Sequence, residues 1–246
     1  MGKIVPNSDG NGSGSAAEAA ALAFVEGVSA SMRPVEAVIR ELAQSDVPVL
    51  LLAEVGAGKH ATAQRIHAMS RRSAQPFLWF QCSSLQPDDL RFPQGSGDDP
   101  QGTIYLQELA DLNAECQERL LEILPQSPGH GASVDGRARL ICGSARDLEV
   151  EVKRGRLRED LYYRISGVCL RLPPLRQRRE EIPQLIAFYL ALYAGEMGKR
   201  IPKLSAEAEQ RCRITPGEGI CESCKMWPRP LWSWEMKSLS WAGCGD

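Results

Sequence analysis

An excess of charge of either sign is what this chain lacks most plainly: 29 lysines and arginines stand against 31 aspartates and glutamates, a formal net charge of -2. Without a global positive field nothing drives non-specific attachment to DNA or to an anionic membrane surface, so no direct DNA contact is expected. A long apolar run is missing as well. No stretch approaches the roughly 18 consecutive apolar residues that span a bilayer. Residues 1–14 are polar and glycine-rich without the apolar core of a signal peptide, so the chain reads as cytoplasmic. Histidine is scarce, and His67 and His130 have no companions at ligand spacing, which leaves a core reading for the first and a loop reading for the second.

What is present is enough apolar material, 43% of the residues, for one α/β domain with a small appendage. Residues 1–22 combine a Gly/Ser/Asn-rich stretch with an alanine run, too poor in large apolar groups to order itself, and read as a flexible leader. Val35, Val38, Ile39 and Leu42 then recur at helical spacing, and a break at 45–48 hands over to an apolar strand ending at Leu52. A helix is expected over 59–70, with Ala63, Ile66 and His67 on one side. Further strands are expected at 77–82, 103–107, 139–143 and 168–172, with a helix marked by Cys116, Leu120, Ile123 and Leu124 between the second and third of these. Alternating strands and helices imply a mostly parallel sheet covered on both faces, with ligands at the carboxyl ends of the strands. Past Pro183, Leu185, Ile186, Tyr189, Leu190 and Tyr193 form one stripe of an amphipathic helix, the start of a small helical lid. Cys82, Cys116, Cys142 and Cys169 sit singly within apolar patterns, as reduced, buried thiols would.

Directly after the first strand comes Ala53-Glu54-Val55-Gly56-Ala57-Gly58-Lys59-His60, a glycine-bearing loop that ends in lysine and opens a helix. Gly56 and Gly58 lack a Cβ, so the backbone amides around them turn inward on a β-phosphate, and Lys59 reaches the β and γ oxygens as a point charge. Residues 54–60 therefore form the candidate nucleotide-binding loop, with His60 where such loops carry the serine or threonine that ligates Mg²⁺. The strand 103–107 should deliver two carboxylates, one holding hydrated magnesium and one polarising the attacking water. Here the pair is Gln107 and Glu108. Glu108 keeps the second task as candidate catalytic group. Gln107 joins the nucleotide-binding set but replaces the charged metal anchor by an amide, so no metal ligand is assigned and Mg²⁺ binding is expected to be weakened. The bland alternative is a glycine turn that binds nothing beside a core strand that ends in polar residues.

A longer string carries a resemblance: Gly155-Arg156-Leu157-Arg158-Glu159-Asp160-Leu161-Tyr162-Tyr163-Arg164-Ile165, followed by Leu172-Pro173-Pro174-Leu175-Arg176-Gln177-Arg178-Arg179-Glu180-Glu181-Ile182-Pro183. With the loop and the strand, it resembles the central AAA+ domain of sigma-54-dependent transcription activators, also called bacterial enhancer-binding proteins. The resemblance implies a P-loop NTPase built as a three-layer α/β/α sandwich, over residues 23–195, that binds ATP, assembles into a ring and is classed with transcription regulation. It also implies that Arg158 and Arg164 are the arginines that reach a neighbouring subunit's γ-phosphate, which makes hydrolysis depend on assembly. Gln81-Cys82 is similar to the family's Asn-Cys pair, whose asparagine restrains the catalytic glutamate, and residues 140–148 are similar to its sensor strand, with Ala145 at the polar sensor position.

Two departures from the family pattern matter more than single substitutions. After Leu85 the insertion that ends in a Gly-Ala-Phe-Thr-Gly-Ala loop and touches the sigma factor is absent, with only 93–101 before the next strand, which leaves no evident means of contacting sigma-54. After 204–208, which still resembles the lid, the composition changes abruptly: four of the five tryptophans and four of the eight cysteines fall in the last 43 residues. Residues 196–246 read as a remnant lid and a divergent, poorly ordered tail, with the coding frame expected to shift near Glu209. Cys221 and Cys224 give one Cys-x-x-Cys pair with irregular outer spacings, which disfavours zinc. Three functions stay open: an ATP-binding domain of the activator type with impaired hydrolysis, a pseudo-ATPase module that tunes homo- or hetero-oligomeric rings of an intact relative, and a non-functional remnant.

Overall fold

The computed structural model describes residues 27, 29–90, 102–124, 133–134 and 138–196. The leader, the stretch 93–101, His130 and everything after 196, including the expected frame shift and the Cys221/Cys224 pair, lie outside the described residues.

Strand β1 (Val49–Leu52) is an interior strand, paired on both sides. It runs parallel to β5 (Ala138–Ser144) on one side and to β6 (Val168–Arg171) on the other. The sheet continues from β5 to β3 (Thr103–Gln107) and β2 (Phe77–Gln81), in the order β2-β3-β5-β1-β6, while the short β4 (Ser133–Val134) pairs antiparallel with β5. The five main strands are parallel because each return is made through helical or looped crossovers rather than tight hairpins. Alternation along β1 divides the core: Leu50 joins the cluster with Leu106, Leu120, Leu148 and Leu161, whereas Leu51 joins Met32, Ile39, Ala63 and Ile66 on the opposite face.

The second face is covered by α1 (Arg33–Ala43), which buries Val35, Ile39 and Leu42, and by α2 (Lys59–Ala68), which buries Ala63 and Ile66. The first face is covered by α3 (Ala114–Ile123), α4 (Leu148–Lys153) and α5 (Glu159–Ile165). Side chains fix where these helices start. Asn113 Oδ1 accepts the Cys116 N–H at 2.7 Å, and Asp147 accepts that of Glu149 at 2.9 Å. Helix α6 (Ile182–Glu196) follows two short 3₁₀ turns and packs Ile182 and Ile186 on Leu175.

The strands and long helices fall close to where the sequence places them, with α2 ending at Ala68 and Cys82 opening a 3₁₀ turn after β2. Helix α4, six residues long, is not foreseen. One expectation fails: Cys82, Cys116 and Cys142 are buried free thiols, but Cys169 is exposed. It lies on edge strand β6, and apolar neighbours in sequence do not reveal that a strand is an edge.

Candidate functional site

The loop leaves β1 at its carboxyl end and turns twice through the left-handed region, at Gly56 (φ 78°) and Gly58 (φ 89°). Side chains with a Cβ rarely adopt that conformation, so the two glycines are required by the turn itself. The Ala57 N–H closes the turn on the Glu54 carbonyl at 3.1 Å. The N–H groups of Gly56, Gly58 and Lys59 have no acceptor among the described residues, which leaves donors at the amino end of α2 where an anion would sit. Lys59 is buried and folds back over the loop: its Nζ donates to the Ala53 carbonyl at 2.8 Å and the Glu54 carbonyl at 3.2 Å.

The same ammonium lies 2.8 Å from Glu108 Oε1. Glu108 follows β3 in the left-handed conformation (φ 55°, ψ 62°), the one non-glycine residue with positive φ among those described. Such a conformation is strained for a residue with a Cβ and persists when surrounding contacts hold it. Those contacts are Lys59 at one carboxylate oxygen and the Ala145 N–H, which donates to the other at 2.8 Å. Gln107 ends β3, half-buried and in parallel register with Gln81 at the end of β2. Among the described residues no hydrogen bond joins the Gln81 amide to Glu108; Lys59 and the backbone just after β5 hold the carboxylate instead. His60 turns its ring toward the sheet, edge-on to Trp79 and Tyr105, both with centroids at 5.4 Å, and to Phe77 at 5.9 Å.

Two contacts at the loop escape sequence reasoning. Arg176 makes a paired hydrogen bond with Glu54 (2.5 and 2.8 Å), and this guanidinium holds the Glu54 carboxyl below its usual range. Arg178, buried, donates to the Ala57 carbonyl at 2.5 Å and faces Glu181 at 3.6 Å. Glu181 in turn accepts the Ser29 hydroxyl at 2.6 Å. The segment between β6 and α6 thus lies across the loop and ties it to the start of the described chain. The spacing of 121 residues between Ala57 and Arg178 offers no local signal for the pairing.

Arg158 and Arg164 lie on the α5 side of the sheet, away from α2. Arg158 is half exposed, forks onto Asp160 (2.9 and 3.1 Å) and lies 3.5 Å from Glu118. Arg164 donates to the carbonyls of Leu121 and Leu124 at 2.8 and 3.3 Å, satisfying the carboxyl end of α3. The buried amide of Gln117 positions the stretch before α5, donating to the carbonyls of Leu112 and Arg156 and accepting the Arg158 N–H, each at 2.9 Å. A cavity of about 430 Å³ opens on this same face between Leu52, Leu148, Tyr162 and Cys169, and no residue of the glycine loop lines it.

A parallel sheet with a glycine loop between an interior strand and a helix, and a carboxylate at the end of the neighbouring strand but one, defines a P-loop NTPase domain of the AAA+ type. The chain belongs to the sigma-54 interaction domain family, whose model matches residues 27–175. It is 32% identical over 200 residues to the nitrogen assimilation regulatory protein NtrX of Azorhizobium caulinodans, covering 74% of this chain and 44% of that protein. It is 34% identical over 209 residues to the response regulator protein PilR of Pseudomonas aeruginosa, covering 76% of this chain and 47% of that protein. The chain therefore spans about half the length of the curated relatives it matches. Among solved structures, NtrX from Brucella abortus in complex with ATP superposes with a TM-score of 0.67 at 26% identity, covering 83% of this chain and 51% of that one. Among the described residues no helix is long and apolar enough to cross a membrane.

Proposed function

We propose that residues 23–195 form a nucleotide-binding module of a sigma-54-dependent transcriptional regulator that holds ATP or ADP on the loop 54–60 and turns over ATP weakly. The observation that carries this reading is the set of open amides at Gly56, Gly58 and Lys59 beneath the buried Lys59 ammonium, a donor array with charge matched to a phosphate chain. The complex of the Brucella NtrX with ATP supports it from a relative. Impaired turnover follows from the paired loss of both ordinary magnesium anchors: His60 is packed among aromatic rings and Gln107 carries no charge. Residues present do not fit a magnesium ion in the usual way, so Glu108 is left to polarise water without the metal's help.

Arg158 and Tyr163 favour assembly as the second element of this reading. Arg158 immediately before α5 is half exposed and Tyr163 within it is 64% exposed, and an accessible guanidinium and an accessible aromatic ring near one helix suit a contact with a neighbouring subunit, an identical chain or an intact relative.

Calorimetric titration of ATP with and without Mg²⁺ tests the central claim. Saturable binding is expected in both conditions, with affinities within about threefold of one another, and Lys59→Ala is expected to weaken binding about tenfold or more. Absence of binding at millimolar ATP overturns the proposal. A large gain in affinity with Mg²⁺ overturns the loss of the metal site.

A further inference from the structure

Resting on the nucleotide reading, we infer that Arg178 is a positioning residue that orients the Ala57–Gly58 peptide so that its amide faces the bound phosphate. A peptide group is one rigid plane, with its carbonyl and N–H pointing to opposite sides. Fixing where the Ala57 carbonyl points therefore fixes where the Gly58 N–H points. Arg178 does this from outside the loop, donating to that carbonyl at 2.5 Å. The Gly58 N–H, on the other side of the same plane, has no acceptor among the described residues. The bond also acts electronically. A cationic donor on the carbonyl polarises the peptide and makes its N–H a stronger donor, more so in a low-dielectric setting.

The placement of Arg178 is itself built. The side chain is more than nine-tenths buried, Glu181 holds its other terminal nitrogen, and Ser29 orients Glu181 through its hydroxyl and its N–H, at 2.6 and 3.2 Å. Its Nε has no partner among the described residues, so the guanidinium sits where the loop needs it rather than where its own donors are all satisfied. A Cβ at Gly58 would lie 3.8 Å from the same guanidinium nitrogen, an ordinary contact, so the glycine is required by its φ of 89° and not by Arg178. Arg176, by contrast, binds the exposed Glu54 side chain at the loop's entrance through a paired hydrogen bond.

The test compares ADP with adenosine, which has no phosphate, in the wild-type chain and in Arg178→Met and Arg178→Lys. Methionine fills much of the buried volume without a donor, and lysine keeps a cation beside Glu181. The ratio of the two dissociation constants is read within each protein, so a general loss of stability cancels. We expect Arg178→Met to weaken ADP about tenfold while adenosine changes by less than about twofold, and Arg178→Lys to shrink the ratio about threefold. Should the methionine variant fail to fold, the lysine variant carries the comparison. ADP binding with an unchanged ratio in the folded variants overturns the role of Arg178 and leaves the nucleotide reading standing. A wild-type chain that binds no ADP overturns both.

Discussion

Lys59 and Glu108 neutralise one another across the phosphate loop, Nζ to Oε1 at 2.8 Å, the lysine buried and the glutamate 19% exposed. Both groups belong to the proposed nucleotide site, and each is the other's charge partner. The pair explains how Glu108 is held at φ 55° and how a buried ammonium is tolerated at the mouth of a helix whose own amides repel it.

Glu108→Ala should therefore do two opposite things. It removes the charge partner of a buried ammonium and should lower the stability of the free chain by about 1–3 kcal/mol. It also frees Lys59 for phosphate, so the rise in melting temperature on adding ATP should be larger than in the wild type. Any residual ATP hydrolysis should disappear. An equal or smaller nucleotide-induced shift would show that Glu108 does not compete for Lys59.

Gly143 and Tyr105 make a second pair. A Cβ at Gly143 would lie 2.5 Å from the Tyr105 hydroxyl, and that hydroxyl is buried without a hydrogen-bond partner among the described residues. Gly143→Ala should destabilise the fold by about 1–3 kcal/mol through overpacking. Tyr105→Phe alone should be neutral or mildly stabilising, because it deletes an unsatisfied buried hydroxyl. The double variant should recover part of the loss but not all, since the ring carbon Cζ remains 3.2 Å from the new Cβ position. Urea unfolding of the four proteins measures the coupling, and simple additivity would rule out the steric account.

How much of this was legible in advance depended on the distance over which each contact acts. The loop is spelled out by adjacent residues, from the apolar strand through Gly56 and Gly58 to Lys59, and strand and helix appear where that grammar puts them. The position of Glu108 was also legible, because it directly follows an apolar strand that is buried on both faces. The bond from Arg178 to Ala57 was not, nor the fork of Arg176 on Glu54, since nothing local at 176–178 records that the chain returns to the loop after passing through the whole sheet. The ring environment of His60 likewise depends on β2 and β3 lying under α2. Cys169 was misread because burial on an edge strand is decided by what packs over it, and α4 was missed because six residues are too short for a periodic signal.

His67 links the base of the sheet to pH. Its Nδ1 lies 2.8 Å from Thr103 Oγ1, it is buried, and burial lowers its pKa below the ordinary value of 6.5. The fold thus favours the neutral ring. Above pH 6.5 the histidine is neutral in both states and costs nothing; as pH falls below that value the unfolded chain takes up the proton first, and stability is lost down to the folded-state pKa. One such group contributes a slope of at most about 1.4 kcal/mol per pH unit. Urea unfolding between pH 7.5 and 5.5 should show this loss in the wild type and a smaller one in His67→Gln. Equal pH dependence in both proteins would place the titration elsewhere.

Gln117 fixes the stretch that presents Arg158. Its buried amide satisfies two carbonyls and one N–H, so Gln117→Leu would leave the buried Leu112 carbonyl and the part-buried Arg156 carbonyl and Arg158 N–H without this partner. The expected cost is about 2 kcal/mol or more, with faster hydrogen exchange at the Arg158 amide. Arg158→Ala, on a solvent-exposed fork with Asp160, should leave stability unchanged within error. If Arg158 acts across a subunit interface, its removal should instead lower ATP turnover in mixed or homomeric assemblies while ATP affinity stays the same. An Arg158→Ala protein that loses stability as Gln117→Leu does, with turnover per folded molecule unchanged, would assign this arginine to the fold rather than to the interface.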